Sequence, residues 1–122
     1  MSPRASRPWF RLYTEAPSDP KLRRLAVENR WLFVCVLGLA RMSCRPGTLL
    51  IAEKAPARIE DIADYAGMDK KKVESGMAAL SDLGLVVWNG IDAWFVPNWD
   101  HRQFESDDST KRGRLHRAEG LT

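Results

Sequence analysis

Lys111, Arg112, Arg114 and Arg117 crowd four cations into seven positions near the end of the chain. At helical spacings they form one cationic face, able to neutralise phosphates of a nucleic acid and release its condensed counterions. Arg4, Arg7 and Arg11 offer a second basic arm, of the sort that enters minor grooves. A third candidate is the set Lys71, Lys72 and Ser75. The lysines can reach phosphates or guanine edges, and the serine can hydrogen-bond a base or a phosphate. For the tail, the plain alternative is a solubilising flexible end. For the third set it is a solvated or protein-contacting face.

The net charge of +3 hides an uneven distribution. Residues 1–58 hold 11 Lys/Arg against 4 Asp/Glu, residues 59–99 hold 3 against 7, and residues 100–122 hold 5 against 5. Basic flanks around an acidic middle imply contact with a polyanion through the flanks. Glu74 and Asp82 oppose approach of the Lys71 face, and Ala78 and Ala79 give it little reach.

Catalytic chemistry has little to stand on. His101 and His116 are the two histidines, and no Ser or Cys nucleophile stands in a recognisable context. No phosphate-cradling glycine loop and no metal-ligand spacing is present. Cys35 and Cys44 give neither a disulfide framework nor a metal quartet. No catalytic, cofactor-binding or metal-binding residue is expected, and no enzyme. The apolar run Trp31 to Ala40 is too short to cross a bilayer, and no secretory signal opens the chain. A cytoplasmic protein without membrane contact is the expectation, and 122 residues allow one core.

These residues need elements to position them. Residues 1–8 read as a flexible basic arm, 9–99 as one folded domain, and 100–122 as a polar linker and basic tail. Pro17-Ser18-Asp19-Pro20 is a turn that starts a helix, with Ser18 or Asp19 as cap, and residues 19–27 form a short amphipathic helix. Arg30 to Met42 is apolar on every side and reads as a central buried helix. Thr48 to Ile51 follows as a short strand. Ile59, Ile62, Ala63 and Ala66 mark one face of a helix over 59–66, which Gly67 ends. Asp69 then caps a helix over 69–83 whose inward face is Val73, Met77 and Leu80. Residues 85–88 and 91–96 flank Asn89-Gly90, the pair for a type I′ hairpin turn.

Helix, helix, strand, helix, turn, helix, hairpin is the order of a winged helix-turn-helix, mainly α with a small β-hairpin. The hairpin is then the wing. Five tryptophans are many for this length. Their rings can stack on bases, but a core or a subunit interface is the better use. Trp88 and Trp94, on either side of one tight turn, are placed to pack across the strands.

Trp9-Phe10-Arg11-Leu12-Tyr13, then Asp19-Pro20-Lys21-Leu22, then the apolar helix from Trp31, resemble the N-terminal domain of phage replisome organisers and the related DnaD-like primosomal proteins. Asn98-Trp99-Asp100-His101-Arg102-Gln103-Phe104, with Ser106-Asp107 and Ser109-Thr110 before Arg112, is similar to the stretch after the wing in that family. The resemblance covers residues 9–117. It implies a winged-helix fold, a role in starting phage or plasmid DNA replication, and self-association through this domain. Family members usually continue into a region that binds DNA or recruits the helicase machinery. The end at Thr122 therefore implies an isolated domain, a truncated form or a stand-alone relative. The expected partners are double-stranded DNA, single-stranded DNA as a further ligand, a second copy of the chain, and replication-initiation or helicase-loading proteins. Two rival functions use the same fold: a transcriptional regulator that binds an operator, and a protein–protein adaptor that never touches DNA.

Overall fold

Asp19 accepts hydrogen bonds from the Lys21 and Leu22 amides at 2.8 and 3.3 Å and so caps helix α1 (Pro20–Arg23). A side-chain oxygen at that position satisfies amides the first turn leaves over, and Pro20 has no amide to satisfy. The computed structural model describes residues 9–103. After α1 come α2 (Val27–Met42), β1 (Leu50–Ala52), β2 (Ala55–Pro56), α3 (Ile59–Ala66) and α4 (Lys70–Asp82). Strands β3 (Val87–Trp88) and β4 (Trp94–Phe95) and helix α5 (Trp99–Gln103) follow. Among the described residues the chain is mainly helical, with five α-helices and two small antiparallel sheets.

The helix expected over 19–27 is shorter than its apolar spacing implied. The chain leaves the helix at Arg24 to Ala26 before α2 begins. The side chain of Arg30 braces that end, its Nε donating to the Leu22 and Leu25 carbonyls at 3.0 and 3.1 Å and its Nη2 to the Arg23 carbonyl at 3.2 Å.

Helix α2 is the centre of the core. Leu32, Val36 and Ala40 are wholly buried in it, and Ile62 of α3 and Val73, Met77 and Leu80 of α4 close over them. The inward face expected for α4 is the one observed. Gly67 ends α3 in the left-handed region at φ +68°, as expected, and its amide bonds to the Ala63 carbonyl. Asp69 does sit at the N-cap of α4, but its side chain makes no capping hydrogen bond, contrary to expectation.

The strands depart further from the pattern. The segment expected as a strand over 48–51 divides its pairing. Thr48 bridges to Phe95, with Leu49 N–H bonded to the Trp94 carbonyl at 2.9 Å and Val96 N–H to the Gly47 carbonyl at 2.7 Å. Residues 50–52 then pair with β2 instead. Because β4 also pairs with β3, residues 47–49, β4 and β3 lie side by side.

The type I′ turn at Asn89-Gly90 is not formed. Gly90 has φ +84°, but Asn98 is the non-glycine with positive φ among the described residues, so Asn89 lacks the required conformation. Asn89 instead works through its side chain. Its Oδ1 accepts from the amides of Ile91, Asp92 and Ala93 at 2.8, 2.9 and 3.1 Å, and its own amide bonds to the Ala93 carbonyl. This local bonding opens the turn to residues 89–93 and shortens both strands. Trp88 and Trp94 do face each other, edge to plane, with centroids 5.3 Å apart.

Residues 100–103, expected to open a polar linker, form most of α5. Gln103 is buried, and it clasps the start of the chain. Its Oε1 accepts from the Arg11 amide at 2.7 Å, and its Nε2 donates to the Arg11 carbonyl at 2.9 Å. Tyr13 Oη donates to the Arg102 carbonyl at 2.6 Å beside it. At the other end of α5, Trp99 is buried under the Arg41 guanidinium, 5.2 Å from its ring centroid.

Two outcomes test this packing. Met77→Asp buries a carboxylate without a partner and is expected to cost on the order of 3–5 kcal/mol. An unshifted cooperative thermal transition would refute the inward placement of Met77. Gln103→Ala strips both bonds to the Arg11 backbone and is expected to cost about 1–3 kcal/mol in the same melt. Gln103→Glu, which sets a buried carboxylate oxygen against the Arg11 carbonyl, is expected to cost at least as much as Gln103→Ala.

Candidate nucleic-acid interface

The burial of Val73, Met77 and Leu80 fixes what α4 shows to solvent. Lys71, Ser75, Ala78 and Asp82 share the opposite stripe and all are exposed, as their spacing required. Lys72, also exposed, is turned aside. Its Nζ lies 3.9 Å from Glu28 Oε2 in the first turn of α2, while Lys70 Nζ lies 3.2 Å from Glu60 Oε1 of α3. Among the described residues Lys71 has no such ion pair. Exposed pairs of this kind are worth about 0–1 kcal/mol, so a phosphate can compete for either lysine. They nonetheless neutralise the flanks of α4. With Glu74 and Asp82 further along the helix, only its first turn carries positive charge to the outside.

The hairpin adds none. Residues 85–96 contain no Lys or Arg, and Asp92 is their one ionisable group. Its exposed residues include two large apolar ones, Ile91 at 83% and Trp88 at 45%, beside Asn89 and Asp92. The cause is the Asn89-centred turn, which lifts Ile91 out at the tip.

The structure thus brings Lys71, Lys72 and Ser75 onto one helix. Lys111, Arg112, Arg114 and Arg117 lie outside the described residues, as do Arg4 and Arg7 of the arm. Three cations beyond these expectations, Lys21, Arg23 and Arg24, stand exposed at the α1–α2 corner. The run Lys-Leu-Arg-Arg is plain in the sequence, but its outward presentation depends on Leu22 and Leu25 turning inward, which packing decides.

Other chemistry finds less. Cys35 is buried, and burial pushes its thiol above the ordinary value, away from the nucleophilic thiolate. Among the described residues no three His, Cys, Asp or Glu side chains gather as metal ligands. Nor is any described helix long and apolar enough to cross a membrane. No family model, no curated protein and no solved structure matches the chain.

Lys71→Ala together with Lys72→Ala is expected to flatten the log–log salt dependence of duplex binding by no more than about 2 units, from two phosphate contacts at most. Titrations across a salt series measure this directly. A larger loss, with loss of sequence preference, would make α4 a reader of bases.

Proposed function

We propose that the chain is a DNA-associated winged helix-turn-helix protein that helps to start DNA replication, acting as a self-associating platform. The observation that carries the winged-helix reading is the Thr48–Phe95 bridge. It ties the segment between α2 and α3 to the hairpin after α4, so that a strand and a wing flank the helix pair α3–α4. A plain helical bundle has no need of that bridge.

The replication reading rests on the resemblance to phage replisome organisers and gains support from the clasp. The two segments that carry the resemblance, Trp9–Tyr13 and Asn98–Gln103, are ninety residues apart in sequence and hydrogen-bonded in space. Self-association is supported by apolar surface. Val27, Trp31 and Met42 of α2 are exposed, with Tyr65 of α3 exposed as well. Large apolar side chains on one helix and its neighbour are available to a second copy of the chain.

A second reading has its own observation. The cation-free wing and the neutralised flanks of α4 favour a protein–protein adaptor that does not bind DNA. Duplex titration at low salt separates the two, because an adaptor shows no affinity there. Strong discrimination between one duplex and random sequence would instead favour the operator-binding regulator.

Truncation after Thr110 removes four cations and is expected to flatten the salt slope by up to roughly 3–4 units. Sedimentation of the purified chain at micromolar concentration is expected to show dimers or larger species. A clean monomer up to ~100 μM would count against the platform role.

A further inference from the structure

We infer that the corner between α1 and α2 is a phosphate-contacting surface for duplex DNA, formed by Lys21, Arg23 and Arg24. The inference rests on the DNA-associated reading and adds a site to it.

The corner is built to hold its cations outward. Leu25 is buried and Leu22 half-buried, so the intervening Lys21, Arg23 and Arg24 can only face solvent. The Asp19 cap fixes one end of α1, and the three bonds from Arg30 fix the other. Arg30 also sets a fourth positive charge directly behind the three. Residues 20–30 contain a single carboxylate in return, Glu28.

Like charges held together on a pinned corner repel one another, and the fold offers them no relief. Among the described residues Lys70 and Lys72 have ion pairs, while Lys21, Arg23 and Arg24 have none. The Asp19 carboxylate accepts two backbone amides, and Glu28 holds Lys72.

Glu28 follows Arg24 by four residues and pairs with Lys72 in the first turn of α4. A DNA backbone laid on the corner meets Lys21, Arg23 and Arg24. Phosphate contacts by such side chains fix a protein on the duplex without reading its sequence.

The test uses the full chain and a fluorescent random-sequence duplex, with anisotropy titrations across a salt series. The triple variant Lys21→Ala, Arg23→Ala, Arg24→Ala is expected to weaken binding and to flatten the log–log slope by about 2–3 units. Arg23→Lys with Arg24→Lys is expected to keep the native slope, because charge and not side-chain shape is at stake. Glu28→Gln, which removes the single carboxylate of residues 20–30, is expected to tighten binding. A native slope and affinity in the triple variant, when the native chain binds the duplex, would overturn the corner site and leave the DNA reading standing. No duplex binding by the native chain at low salt would overturn the DNA reading itself, and the corner site with it.

Discussion

Helix α4 packs closely against α2 at Gly76, where a side chain would displace the ends of Leu32 and Asn29. A Cβ at Gly76 would come within 2.5 Å of Leu32 Cδ2 and 2.6 Å of Asn29 Oδ1, closer than such atoms ever sit. Glycine in a helix interior is disfavoured by roughly 0.5–1 kcal/mol relative to alanine, so its presence there reflects packing. The contact sets the rotation of α4. It seats Val73, Met77 and Leu80 against the α2 core, and it brings Lys72 within reach of Glu28. The exposed stripe of Lys71 and Ser75 is the other face of the same constraint.

A similar close approach governs the far end of the molecule. Gly47 has φ +98°, and a Cβ there would meet Trp99 at 2.9 Å. The chain passes tightly over the indole ring, and its carbonyl receives the Val96 amide next to the Thr48–Phe95 bridge. Trp99 in turn lies against the guanidinium of Arg41, a charged group buried in the middle of the fold. Burial of a charge is costly unless it is compensated. A cation over a desolvated aromatic face returns about 2 kcal/mol of that cost. Residues 47–49, the β3–β4 hairpin and α5 are thus joined at one point, and Gln103 at the end of α5 reaches Arg11.

The electrostatics follow from which charges the packing pairs. The lysines at the edges of α4 meet acids from α2 and α3, so the helix expected to read DNA has a positive first turn and an acidic remainder. The β3–β4 hairpin exposes Ile91 at its tip and carries no cation. The α1–α2 corner, held by Asp19 and Arg30, keeps Lys21, Arg23 and Arg24 outward and, among the described residues, without an ion pair.

The sequence by itself determined helices α3 and α4 and their faces. Ile59, Ile62 and Ala66, and Val73, Met77 and Leu80, recur at the helical period, and a periodic apolar face has one way to be buried. Gly67 and Asp19 marked boundaries because their conformational and capping roles are local. The candidate residues Lys71 and Ser75 were legible for the same reason, as the positions opposite that face. Tertiary structure decided what depends on distant partners. Arg30 bonds to carbonyls of the preceding segment at the end of α1, and Gln103 joins residues 100–103 to the fold through Arg11. The Asn89 turn lost its expected form because three amides found one side-chain oxygen. Whether a lysine is free or paired, as at Lys72 and Glu28, is set by contacts across forty-four positions, and no local pattern of residues encodes a distance of that kind.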